Sequence, residues 1–149
     1  MKSIILATTA AVFAGSSAFA AGLEGSYVGP GIAVGTTPDA SAAASIVGRV
    51  EAGNLPLSIR PQVTVNTQVE GAIGATYDLA VAENTNVYLG GGAAFGDAGI
   101  LTVDNDTVGY IQVGAETQLA EHSVIFADVK VALTDGTSVV PTVGLAWKF

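Results

Sequence analysis

The sequence contains no cysteine. That single absence excludes disulfides, thiolate zinc sites, iron–sulfur clusters and Cys nucleophiles. Basic residues are scarce: 5 Lys+Arg stand against 13 Asp+Glu in 149 residues, a formal net charge of −8. A nucleic-acid binder needs a basic footprint to release counterions from phosphate, so that class is excluded as well. Charged residues are only 12% and hydrophobic residues 50%, which rules out an acidic disordered chain. Beyond the first twenty residues no apolar run approaches the roughly 18 residues that a membrane-crossing helix needs. The 19 glycines follow no three-residue period, so collagen is excluded. The length suits one domain. Glycine this abundant in an apolar, cysteine-free chain points to crowded, turn-rich β structure.

Residues 1–20, MKSIILATTAAVFAGSSAFA, have the three parts of an export signal. Lys2 is the positive start, Ile4 to Ala14 a short apolar stretch, and Ala18-Phe19-Ala20 an A-x-A cleavage site. The apolar stretch is too short to span a bilayer and ends in small residues. The chain therefore divides into a Sec-type signal peptide, 1–20, removed after Ala20, and one domain, 21–149.

The domain alternates with period 2 and lacks a helical period. Turn residues punctuate it regularly. Eight strands are predicted: Ser26–Val34, Ala43–Glu51, Leu55–Val65, Val69–Leu79, Asn86–Phe95, Thr107–Leu119, Ser123–Leu133 and Val139–Phe149. Leu57, Ile59, Pro61 and Val63 against Ser58, Arg60, Gln62 and Thr64 show the pattern at its clearest. Ala52-Gly53-Asn54, Asn66-Thr67-Gln68, Ala82–Thr85, Ala120–His122 and Asp135-Gly136 read as turns, and Thr36–Ala42 and the acidic Gly96–Asp106 as longer loops. A tilted membrane strand needs about 9–11 residues, against about 5–6 in an ordinary globular sheet. Long strands, even in number and shortly connected, predict an all-β fold: an eight-stranded antiparallel up-and-down transmembrane β-barrel.

Alternation does not by itself say which face is inside. When each strand's apolar face is fixed by its aliphatic residues, Arg49, Glu51, Arg60, Glu70, Asp78, Glu116, Asp128, Lys130 and Lys148 all fall on the other face. That face also carries Gly29, Gly31, Gly74, Gly90, Gly92, Gly114 and Gly144. A solvated exterior has no use for so many glycines, whereas a narrow eight-stranded interior must be just filled. Every basic residue after the signal lies on this face within a strand. The nine charged residues are therefore predicted to form an interior charge network, with the apolar face against lipid. Direct pairing across short turns would place Asp128 opposite Gly114 and Gly144, with Arg60 or Arg49 as its partner across the lumen.

The last strand, Val143-Gly144-Leu145-Ala146-Trp147-Lys148-Phe149, alternates up to a terminal Phe. It resembles the C-terminal signature of bacterial outer-membrane barrels, which the barrel assembly machinery reads; Leu145, Trp147 and Phe149 carry it. The domain as a whole resembles the small eight-stranded OmpA-like family, as do Tyr27-Val28-Gly29-Pro30-Gly31 and Val113-Gly114-Ala115-Glu116. The resemblance implies a Gram-negative outer membrane, outer-membrane lipid and lipopolysaccharide as surroundings, and both termini in the periplasm. Turns 52–54, 82–85 and 120–122 would then be periplasmic, and the connections near 36–42, 66–68, 96–106 and 134–138 extracellular. A monomer without cofactor is expected, and no peptidoglycan-binding domain after the barrel.

Three constellations invite a chemical reading and each has a plainer one. His122-Ser123 suggests a hydrolase, but no acid is placed to orient the ring. Asp104-Asn105-Asp106-Thr107-Val108-Gly109 starts like a calcium loop, yet its twelfth position is Ala115, which cannot ligate. Glu116 and Asp128 could be a glycosidase pair, but they sit among cations, where ion pairing is the simpler role. The sequence thus points to a non-enzymatic structural or surface-interaction role in the envelope. A narrow porin-like channel and an adhesin acting through its loops are the alternatives.

Overall fold

The computed structural model describes residues 22–36, 42–96, 99–102, 107–134 and 138–149. The described residues form eight strands: β1 (Tyr27–Val34), β2 (Ala42–Glu51), β3 (Leu57–Val65), β4 (Val69–Ala82), β5 (Thr85–Gly96), β6 (Val108–Ala120), β7 (Ser123–Ala132) and β8 (Val139–Lys148). Each pairs antiparallel with its neighbour, and β8 pairs with β1 to close the barrel. The expected fold is therefore the observed one. The expectations for residues 1–20, Pro38-Asp39, Asp97, the acidic run 104–106 and Asp135-Gly136 lie outside the described residues.

The strand limits differ from expectation where a turn is tighter or looser than its sequence suggests. β4 and β5 run on to a two-residue turn, Glu83-Asn84, in which Asn84 takes φ 57°. Such short hairpin turns need positive φ, which Asn tolerates. β3 starts two residues later than expected, after Pro56, which has no N–H to give a ladder. Ala52 N–H instead donates to the Leu57 carbonyl at 2.9 Å, closing a wider turn.

Alternation sorts the side chains without ambiguity. In β3, Ile59 is 41% exposed between Ser58 at 0% and Arg60 at 3%. The same holds around the barrel: Val28, Ile46, Ile73, Leu89, Ile111 and Leu145 face out, while Arg49, Asp78, Glu116, Asp128 and Lys130 are buried. A closed sheet with an apolar exterior and a charged interior is the inverse of a soluble barrel and matches a lipid solvent. The interior glycines give way to aromatic rings. A Cβ at Gly114 would strike the Tyr88 ring, and one at Gly74 the Tyr110 hydroxyl. At Gly90 and Gly92 a Cβ would strike the β4 backbone itself, so these two positions permit the close approach of β4 and β5.

The barrel has two distinct ends. Residues 22–26, Phe149 and the turns 52–56, 83–84 and 121–122 lie at one, here the termini end. The connections β1–β2, β3–β4, β5–β6 and β7–β8 lie at the other, the loop end.

Candidate functional site: the filled lumen

Parity brings charges inward, and register decides which of them meet. Toward the termini end, two guanidinium groups and two carboxylates alternate. Arg49 Nη2 lies 2.9 Å from Asp78 Oδ2, and Arg49 Nε lies 3.3 Å from Glu116 Oε1. Arg60 Nη2 lies 3.1 Å from Asp78 Oδ1, and Arg60 Nη1 lies 2.9 Å from Glu116 Oε2. The four residues come from β2, β3, β4 and β6, so the ring of ion pairs ties strands across the lumen. Its remaining valences are met by neutral groups. Tyr27 Oη donates to Glu116 Oε2 at 2.7 Å, and Asn86 Nδ2 donates to Glu116 Oε1 at 3.2 Å. The Ser58 hydroxyl donates to Asp78, and Thr76 Oγ1 does so at 2.9 Å. Arg60 also lies 3.5 Å above the centre of the Tyr88 ring. Two cations and two anions with their hydrogen bonds satisfied can stay buried, which unpaired charges cannot.

A second cluster is separate. Lys130 Nζ is 2.8 Å from Asp128 Oδ1, and Gln112 Nε2 donates to Asp128 Oδ2 at 2.9 Å. Asp128 therefore pairs along its own strand, at i and i+2 on one face, and not with Arg60 or Arg49 as expected. The register explains the difference. Ala132 N–H donates to the Ser138 carbonyl, and this closure sets Thr142 opposite Asp128, leaving Gly144 opposite Phe126. Gly114 does face Asp128, but the Tyr88 ring takes the space beside it.

Three more of the nine residues stand apart. Glu70 forms no ion pair within 4 Å among the described residues: its Oε2 accepts Leu101 N–H at 2.9 Å, Thr102 N–H at 2.8 Å and Thr102 Oγ1 at 2.9 Å. It anchors a loop, because β4 begins at the loop end where 99–102 folds inward. Lys148 Nζ donates to Gln118 Oε1 at 2.7 Å on the termini rim. Glu51 is half-buried, 3.9 Å from Arg49, and its Oε2 accepts Gly25 N–H at 2.8 Å. Leu145, Trp147 and Phe149 are exposed on the outer surface, approaching the termini end.

Sequence reasoning missed the two ends of the lumen. At the termini end, Leu23 is 2% exposed, packed in a cluster with Tyr27, Val47, Val124, Phe126 and Ala146. Its backbone is gripped by Asn86, which accepts Leu23 N–H at 3.1 Å and donates to its carbonyl at 2.9 Å. At the loop end, Leu101 is equally buried, in a cluster with Ala33, Ala72, Ala94, Tyr110 and Val140. Tyr27, Tyr88 and Gln112 were legible from parity, since they share the charged face. Leu23 and Leu101 belong to no strand and carry no periodic signal.

The candidate reactive groups are not assembled for chemistry. His122 is exposed on its turn, stacked on Trp147 at 4.9 Å between ring centres, with Nδ1 3.1 Å from the Lys148 carbonyl. Glu116 and Asp128 belong to different ion clusters. Among the described residues no three His, Cys, Asp or Glu side chains gather as a metal site.

The fold is similar to several solved membrane barrels. A de novo designed transmembrane β-barrel superposes with a TM-score of 0.62 at 14% identity, covering 84% of this chain and 96% of that one. Ail, the attachment invasion locus protein of Yersinia pestis, solved with the heparin analogue sucrose octasulfate, gives 0.58 at 13%, covering 84% and 97%. The N-terminal β-barrel domain of Pseudomonas aeruginosa OprF gives 0.53 at 13%, covering 85% and 98%. No family model and no curated protein matches the chain. At these identities the likeness is one of fold: an eight-stranded antiparallel barrel of the outer-membrane type.

Proposed function

We propose that this chain is a non-enzymatic, non-conducting outer-membrane barrel that acts in envelope structure and surface interaction. The observation that carries the reading is the ring of ion pairs among Arg49, Arg60, Asp78 and Glu116, whose members reach into the lumen from β2, β3, β4 and β6. An eight-stranded interior is only wide enough for side chains to fill. In this reading residues 1–20 are an export signal removed before assembly, and 21–149 form the barrel. Leu145, Trp147 and Phe149 serve recognition by the barrel assembly machinery. Lipid and lipopolysaccharide cover the outer face, the termini end faces the periplasm, and the protein is monomeric.

The test is conductance of the refolded protein in a planar lipid bilayer. A silent membrane is the expected result. Large, steady conductance would overturn the reading in favour of a narrow porin-like channel.

The likeness to Ail supports attachment through the loops as the form that surface interaction takes. The ligand chemistry would differ from that of a heparin analogue. The loop-end connections contain Asp39, Asp97, Asp104, Asp106 and Asp135 and no Lys or Arg. Such a surface repels polysulfated chains and suits neutral or cationic partners. Immobilised heparin should accordingly retain none of the protein at low salt.

A further inference from the structure

The two halves of the lumen differ in how well their polar groups are satisfied. Arg49, Arg60, Asp78 and Glu116, in the termini half, are fully engaged. Ser45 Oγ, Gln62 Oε1, Tyr110 Oη, Gln112 Oε1 and Thr142 Oγ1 are buried without a hydrogen-bond partner among the described residues. All five lie in the loop half, two to four residues from the loop-end limit of their strands. They come from β2, β3, β6 and β8, so they surround the lumen and do not crowd one wall. Buried polar groups of this kind are nearly always satisfied by something, and a cluster of them marks a place for small hydrogen-bonding molecules. The ion-pair ring lies on one side of this region, toward the termini end. On the other sits the segment Gly99–Thr102, with Leu101 pressed into the cluster around Tyr110 and Val140.

Among the described residues that segment is held by few polar contacts. Glu70 Oε2 receives three of them, from Leu101 N–H, Thr102 N–H and Thr102 Oγ1, and Ser138 Oγ donates to the Ile100 carbonyl at 3.0 Å. One buried carboxylate thus fixes the piece of backbone that lies at the loop-end side of the polar region. We propose that residues 99–102 are a removable stopper, latched by Glu70, over a polar chamber that takes water and other small uncharged molecules. Asp128 and Lys130 already neutralise each other and Glu70 is held by the segment's own donors, so no unmet charge calls for a charged guest. The chamber is blind: it opens at the loop end alone. It needs neither a particular orientation in the membrane nor a particular role for the barrel.

Two measurements test the proposal. In the refolded, unsubstituted protein, the side-chain amides of Gln62 and Gln112 should show NMR cross-relaxation with long-lived water. Its absence overturns the chamber. The cysteine-free chain also allows a clean accessibility test with iodoacetamide, a small uncharged probe. In Ser45→Cys the thiol should react slowly. Adding Glu70→Ala should accelerate it about tenfold or more, the factor for losing a hydrogen bond to a charged group. Thr102→Val leaves the carboxylate and removes one of its donors, and should accelerate labelling in the same direction should Glu70→Ala fail to fold. Equal rates with and without the latch, in variants that retain the heat-modifiable mobility of a folded barrel, overturn the stopper.

Discussion

Glu116 is held by two arginines, a tyrosine and an asparagine at once. Deleting its carboxylate leaves two buried guanidinium groups sharing Asp78, with only the half-buried Glu51, 3.9 Å from Arg49, besides. Glu116→Ala should therefore destabilise the barrel by about 3–5 kcal/mol, the range for breaking a buried pair. Urea unfolding in detergent micelles measures it, with Glu121→Ala on an exposed turn as a control within about 0.5 kcal/mol of wild type. The two faces of β7 make a second comparison. Val129 faces outward beside the inward Lys130. A lysine at Val129 should cost about 2–4 kcal/mol in lipid if it lies near the bilayer midplane. A neutral Val129→Lys would mean that this surface does not meet lipid. Residue pairing was the least legible level in the sequence. Strand parity assigned Asp128 and Lys130 to the interior, but their mutual contact depends on side-chain reach along one strand. Whether Asp128 faces Thr142 or Gly144 depends on a hairpin closure that alternation does not encode.

Among the elements, the closing seam between β1 and β8 is interrupted, as is the β2–β3 ladder, which passes from Val47↔Gln62 to Val50↔Ile59. β4 and β5 pair continuously from Glu70↔Gly96 to the bulge near Ala82↔Thr85. Between β1 and β8 the pairs Tyr27↔Lys148 and Val28↔Trp147 are followed only at Gly31↔Gly144, so Gly29 and Pro30 are skipped. Pro30 has no N–H to contribute. Backbone amides of β8 around Leu145 should thus exchange with deuterium faster than those of β4 around Ile73, read by hydrogen exchange of the refolded protein. Comparable protection at the two places would show that the seam is as firm as the rest. All eight strands were visible in the sequence because each carries a long stretch of alternation, interrupted only locally, as at Val47-Gly48-Arg49 in β2. Their ends were less so: Pro56 delays β3, and the two-residue turn at Glu83-Asn84 lengthens β4 and β5. Glu70 looked like one more interior ion, since nothing in its neighbourhood of sequence announces that residues 99–102 fold back onto it.

At the scale of the molecule, charge is sorted by place: mixed in the lumen and paired there except at Glu70, absent from the wall, and acidic on the connections at both ends, with Glu24, Glu83 and Glu121 at the termini end. The proposed orientation is tested by cysteines placed one at a time in the cysteine-free chain. On intact cells, Asp135→Cys should react with a membrane-impermeant thiol reagent and Asn54→Cys should not. Labelling of Asn54→Cys alone would invert the barrel.

The alternation that builds the wall also bears on how such a chain could travel. A protein bound for an outer membrane crosses an inner one first, through a channel that releases sideways any segment greasy enough to stay. Leu57–Val65 could line lipid once rolled into a cylinder, yet as a linear stretch it interleaves every aliphatic residue with a polar or charged one. Only curling the sheet gathers those aliphatic residues onto one surface. Until then no single strand offers a greasy stretch long enough to be retained, so the preference for lipid emerges from assembly, at the destination and not on the way.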